Sequence, residues 1–145
     1  MTSMPSEEFL SKVRATFDQQ TLMRLLGARL EALSEGVAEI RMPYNPQMAQ
    51  QNGYLHAGIV TTLVDTACGC AAISCSPEAS NVLSVEFKVN FLAPARGDEF
   101  VASAKVLKVG KTLTICQGEV KAISSGAEPI TVAVMLATMM LLRAK

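Results

Sequence analysis

The chain has 145 residues, half of them apolar, which suits one domain around a single core and leaves no second domain to expect. Its 13 basic and 13 acidic residues cancel, and the cations are scattered, so the clustered positive face that nucleic-acid binding relies on is missing. Residues 1–20 carry Glu7, Glu8, Lys12, Arg14 and Asp18 without a continuous apolar stretch, unlike a secretory signal, so a cytoplasmic location is expected.

From Ser6 to Gln19, Ser6 is placed to cap a helix, acids follow in its first turn, and Phe9, Leu10, Val13 and Phe17 recur at helical spacing. A helical N-terminal extension over 1–20 is expected. From Met23 to Met42 two strand-like runs flank Ser34-Glu35-Gly36, which predicts a hairpin. Tyr44 to Tyr54 holds Asn45, Pro46, Asn52 and Gly53 and reads as a loop. It leads into LHAGIVTTLVDTACGCAAI, apolar on every side except at His56, Asp65 and a few threonines, as in a helix over about 55–74 buried all round. A membrane span is the competing reading of that run. The carboxylate near its middle, unfavourable by about 2.5–3.5 kcal/mol on insertion scales, opposes it, as do the strands that follow.

Beyond Pro77 four period-2 runs are separated by turn residues: Leu83 to Phe91, Glu99 to Lys108, Thr112 to Ile123 and Pro129 to Leu142. The economical arrangement is an antiparallel meander. Strands following one long apolar helix predict an α+β domain in which a strongly curved sheet wraps the helix. Cys68, Cys70 and Cys75 lie in apolar surroundings with one histidine in the whole chain, so buried thiols are expected rather than disulfides or a metal site.

Asp65 is the residue that most needs an explanation, because burying an unpaired charge costs several kcal/mol unless something pairs with it or uses it. It either caps a backbone group or pairs with a cation, or it does chemistry. Nine residues earlier His56-Ala57-Gly58 opens the same helix, where free backbone N–H groups and a partial positive charge can hold a developing oxyanion. Ala57 and Asp65 are separated by eight residues, or about 12 Å along a helix axis, whereas catalytic groups act within about 3 Å of the atoms they serve. If both serve one site, two chains must supply them, with their helices antiparallel across a two-fold axis.

The runs QQNGYLHAGIVTTLVDTA and LSVEFKVNFLAPARGDEFVASAKVLKVGKTL resemble the hot-dog-fold acyl-CoA thioesterases of the phenylacetate-pathway type, close to the 4-hydroxybenzoyl-CoA thioesterase group. The resemblance spans roughly Leu26 to Leu142. In that family a histidine and two glycines open the central helix, an acid follows nine residues after the histidine, and a strand carries Ser or Thr before Val-Glu-Phe. Here those positions are His56, Ala57, Gly58, Asp65 and Ser84, with alanine replacing the first glycine.

The resemblance implies a single hot-dog domain that hydrolyses an acyl- or aryl-CoA, with Asp65 as nucleophile or general base and the Ala57 N–H polarising the thioester carbonyl. It further implies that Gln50 contacts the thioester or positions water, that Ser84 holds the attacking water, and that His56 orients the loop. Asn52 rivals Gln50, and both amides could equally serve the turn. Arg96, Lys108 and Lys111 at strand ends are candidates for the coenzyme A phosphates, or ordinary solvated charges. No metal or redox cofactor is needed, since a carboxylate, water and an oxyanion hole suffice. A dimer or dimer of dimers follows. A hydratase or dehydratase on the same fold and a non-catalytic acyl-binding module are the alternatives. Met23, Met48, Leu63 and Met135 could line an adaptable pocket or fill the core.

Overall fold

The computed structural model describes residues 5–145, so the first four residues of the expected extension lie outside it. Helix α1 (Glu7–Asp18) is capped by Ser6, whose Oγ accepts from the Phe9 N–H at 3.2 Å, and Glu7 and Glu8 complement its positive end. Val13 and Phe17 are its buried residues. A short second helix, α2 (Thr21–Leu26), replaces the start of the expected first strand. Met23 and Leu26, three apart, bury on one side of it, and Gly27 at φ +66° ends it, with the Ala28 N–H returning to the Met23 carbonyl at 2.9 Å.

The hairpin then forms as expected from β1 (Arg29–Ser34) and β2 (Val37–Pro43). Ala38, Ile40 and Met42 of β2 point into the core. Helix α3 (Ala57–Ser74) is followed by β3 (Ala79–Phe91), β4 (Glu99–Val109), β5 (Leu113–Ile123) and β6 (Ile130–Arg143). All pairings are antiparallel and the strand order is β1-β2-β4-β5-β6-β3.

The four-strand meander is therefore corrected: only β4, β5 and β6 meander, β2 takes the place beside β4, and β3 crosses to the far edge beside β6. Alternation within a strand says which side faces inward, but not which strand lies next to it. With β3 at the far edge, α3 packs against all six strands. The helix comes so close to β5 that a Cβ on Gly118 would strike Val64.

The apolar run is the core helix of this sheet, with Val60, Leu63, Val64, Ala67 and Cys68 buried. It starts two residues later than expected and is not buried all round. His56, Ala57 and Gly58 are exposed, and Thr61, Thr62, Asp65 and Thr66 are half-buried. Thr61 and Thr62 donate to the Ala57 and Gly58 carbonyls at 2.8 Å, which satisfies their hydroxyls without help from outside the helix.

The alternation of β3 changes phase at a bulge between Ser84 and Glu86. Val82 and Ser84 lie opposite the buried Leu141 and Met139 of β6, while past the bulge Phe87, Val89 and Phe91 lie opposite the buried Ala137, Met135 and Ala133. A run with one uninterrupted period would have turned Ser84 away from α3.

Candidate active site

The loop before α3 is tied down by backbone bonds: Leu55 N–H to Ala95 at 2.9 Å, His56 N–H to Met48 at 2.9 Å, and Gln50 N–H to Tyr54 at 2.8 Å. Gly53, at φ +83°, makes the turn inside it, and the Tyr44 hydroxyl donates to its carbonyl at 2.8 Å. The Gln50 side chain turns back into this loop, its Oε1 accepting from the Asn52 N–H. Here Gln50 serves the turn, and Asn52 is exposed.

His56 is the N-cap of α3: its Nδ1 accepts from the Gly58 N–H at 2.9 Å, and its carbonyl accepts from Ile59 and Val60. An accepting Nδ1 places the proton of the neutral imidazole on Nε2. A Cβ on residue 58 would sit 3.1 Å from that Nδ1, so glycine is what lets the ring lie over the helix end. The consequence for chemistry is selective. Gly58 has its N–H engaged, whereas among the described hydrogen bonds the Ala57 N–H has no acceptor. Ala57 is thus the free donor at the positive end of the helix.

Two turns further along, the Ser84 hydroxyl donates to Asp65 Oδ1 at 2.6 Å and lies 3.5 Å from Met139 Sδ. The bulge in β3 makes this contact possible. No cation pairs with Asp65 among the described ion pairs, so Ser84 is its described partner.

The two features open into different cavities. Gln50 and Ala57 face a cleft of about 500 Å³ with Tyr54, Phe91 and Val132, while Asp65 and Ser84 face one of about 350 Å³ walled by α1 and Met139. The contribution of α1 to the second cleft had no signal in the sequence. Val13, Thr16 and Phe17 reach Asp65's cleft through a contact some fifty residues apart along the chain, which no local pattern reports.

Arg96 is exposed beside Ala95, which lines the Ala57 cleft. Lys111 lines a third, shallow cleft with Arg143 and Asn81, and Asn81 also borders the Asp65 cleft. Lys108 is exposed on β4. None of the three cations forms an ion pair among the described residues.

Met23, Leu63 and Met135 are buried core residues, and Met48 packs partly buried against them. All four cysteines are free. Cys68 is held well above the ordinary thiol range by its hydrogen bond with Cys116 and by burial, and burial pushes Cys70 up to about 12. Such thiols are inert hydrophobes. Among the described residues no cluster of three His, Cys, Asp or Glu side chains could hold a metal.

The family described as the thioesterase superfamily matches residues 52–127, the stretch that carries the helix cap, Asp65 and Ser84. The chain belongs to the thioesterase superfamily. It is similar to a thioesterase family protein from Silicibacter pomeroyi, at 47% identity and a TM-score of 0.90, covering 94% of this chain and 99% of that one. A Halobacterium salinarum protein named as an esterase is 35% identical over 92% of this chain and 93% of its own length. Human acyl-coenzyme A thioesterase 13 is 30% identical over 78% of this chain and 81% of its own. The Escherichia coli PaaI protein of the phenylacetic acid degradation operon shares the fold at a TM-score of 0.81 and 23% identity, over 97% of this chain and 96% of that one. The curved sheet around α3 is thus a hot-dog fold.

Proposed function

We propose that this superfamily member is an acyl-CoA thioesterase whose two sites each lie between two copies of the chain. The observation that carries the reading is the separation of the Ala57 N–H and the Asp65–Ser84 pair into two cavities of one protomer. Each cavity lacks what the other holds. An antiparallel pairing of two α3 helices would bring each Asp65 opposite the partner subunit's Ala57. The outer edge of β3 supports such a pairing. It is open, thirteen residues long, and carries Leu83, Val85 and Phe87 at 53%, 54% and 43% exposure, a combination that invites a second strand.

In that assembly the thioester carbonyl accepts from the partner subunit's Ala57 N–H, which stabilises the oxyanion as the carbonyl carbon turns tetrahedral. Asp65 either takes a proton from a water that attacks that carbon, or attacks it directly to give a mixed anhydride that water then hydrolyses; in both the C–S bond breaks and the coenzyme A thiolate leaves. Ser84 holds the carboxylate by its hydrogen bond, or hands that bond to the attacking water. Gln50, whose Oε1 accepts from the Asn52 N–H, keeps its amide NH2 as the donor that would contact the thioester at the Ala57 cleft. Arg96, next to Ala95 of the Ala57 cleft, is the first candidate for the coenzyme A phosphates, and Lys108 and Lys111 would meet them only from the far end of the sheet. The chain needs no metal or organic cofactor for these steps. A coenzyme A substrate is compatible with the cytoplasmic location expected from the sequence, and a dimer of dimers is compatible with the scheme. A hydratase would need His56 free to move protons, and its Nδ1 is already the helix cap.

The test mixes two inactive variants, Asp65→Ala and Ala57→Pro, under conditions that exchange subunits, and measures hydrolysis of a panel of acyl-CoAs. Shared sites predict recovery, because each mixed dimer has one site with both working groups intact. Absence of recovery, with mixed dimers demonstrated by mass, would sink the shared-site scheme. Ligand binding without turnover by the unaltered protein would leave the binding-module reading instead.

A further inference from the structure

The cleft at Asp65 extends well beyond the reacting groups. On α3 it is lined by Asp65, Gly69, Cys70 and Ile73, one face of the helix, and Ile73 lies eight residues past Asp65, about 12 Å along the axis. The opposite wall is α1, through Val13, Thr16 and Phe17, again residues three and four apart. Polarity falls along the groove. The carboxylate and Ser84 hydroxyl mark one end, whereas at the other Val13 packs in one cluster with Ile73, Ala79 and Leu141. Between them Gly69 leaves the floor bare. A Cβ there would meet Val82 Cγ1 at 3.8 Å, ordinary contact distance, so the space above Gly69 is open to a small group and closed by a larger side chain.

Val13 and Phe17, the buried residues of α1, hold the helix over α3, Val13 in the cluster at the apolar end of the groove and Phe17 in the main core, and both line the groove itself. We propose that α1 is the acyl-selecting wall of the enzyme: the acyl group lies between α1 and α3, crosses the bare floor at Gly69, and stops where Val13 meets Ile73. This rests on the thioesterase reading above. At about 350 Å³ the cavity is at the lower end of the roughly 300–1,000 Å³ of small-molecule sites, and the coenzyme A moiety lies outside it. The acyl group it takes is compact: aryl, or a short to medium straight chain.

The experiment measures kcat/KM of the full chain on acetyl-, hexanoyl-, benzoyl-, decanoyl- and palmitoyl-CoA, with Gly69→Ala, Gly69→Val and Val13→Ala compared with the unaltered protein. The unaltered protein is expected to favour hexanoyl- and benzoyl-CoA over palmitoyl-CoA. Gly69→Val should lower both relative to acetyl-CoA by at least tenfold, because a methylene that gains or loses its place in an apolar pocket is worth about 10–200-fold. Gly69→Ala, which the floor accommodates, should shift the same ratio by less and guards against a Val variant that fails to fold. Val13→Ala should raise decanoyl- relative to hexanoyl-CoA. A merely structural role scales all five substrates together, and that outcome overturns the proposal, as does a preference of the unaltered protein for palmitoyl-CoA. Failure of the unaltered protein to hydrolyse any of the five is a different result, which defeats the thioesterase reading and this inference with it.

Discussion

At the first turn of α3 the proposed reacting group is a backbone N–H held out to solvent, whereas two turns on it is a half-buried carboxylate with a hydroxyl partner, and the two places depend on different things. The donor at Ala57 is indifferent to its own side chain. What it requires is a helix that begins there and a neighbour whose N–H is occupied, and His56 supplies both by capping α3 through Gly58. An alanine where the resembled family has glycine therefore keeps the donor. Asp65 depends on its side chain and on the surroundings that hold it, which come from β3 and α1, distant in the chain.

Substitutions separate the two places. The largest effect is expected at Asp65: replacing it by Asn keeps the shape and an acceptor for Ser84 but removes the base or nucleophile. The kcat on a good acyl-CoA should fall by about 10²–10⁴-fold, with thermal stability maintained. Retained turnover would take Asp65 out of the mechanism.

Ala57→Pro comes next and isolates the backbone donor, since proline is favoured at the first helical position and its ring only removes the N–H. The preceding residue already has the extended conformation that proline demands, His56 lying at φ −60° and ψ 138°. Loss of one oxyanion donor should reduce kcat by about 10²–10³-fold, while circular dichroism shows α3 intact. An active proline variant would move the oxyanion hole elsewhere.

Ser84→Ala should be milder. A hydrogen bond to a charged group contributes about 1.5–3 kcal/mol, and Ser84 is exposed in the protomer, so a fall in kcat of roughly tenfold is expected. KM should change little. Smallest is His56→Ala, which removes the cap: about 0.5–2 kcal/mol of stability, read as a lower melting temperature. Activity should fall only as far as the Ala57 N–H loses its orientation, and a loss as deep as that at Asp65 would make His56 a proton carrier.

Much of this was legible in the amino acids alone. The capping of α1, the β1–β2 hairpin, the apolar helix with its single acid, and the later strands all follow from local period and turn chemistry, and each is found. The separation of Ala57 from Asp65 also follows from helix geometry alone. A rise of about 1.5 Å per residue is enough to show that Ala57 and Asp65 cannot share a site within one helix. Other features were not legible. The turn of helix at Thr21–Leu26 is too short for periodicity to distinguish from a strand. Gln50 presents an amide that either loop or substrate can use, and only the closed loop shows it bonded to the Asn52 N–H. The position of β3 depends on which strand it pairs with, information absent from its own residues.

The sequence by itself determined the chemistry available, a carboxylate on an apolar helix that opens with a capped, glycine-containing turn, because side-chain identity and helix geometry are local. Tertiary structure decided how that chemistry is held. A one-residue bulge turns Ser84 toward Asp65, the far-edge position of β3 brings both to an open strand, and α1 folds back as the second wall of the cleft. These depend on contacts between segments far apart in the chain, where the choice is made by burial of the whole sheet against α3 and leaves no period or motif in any one segment.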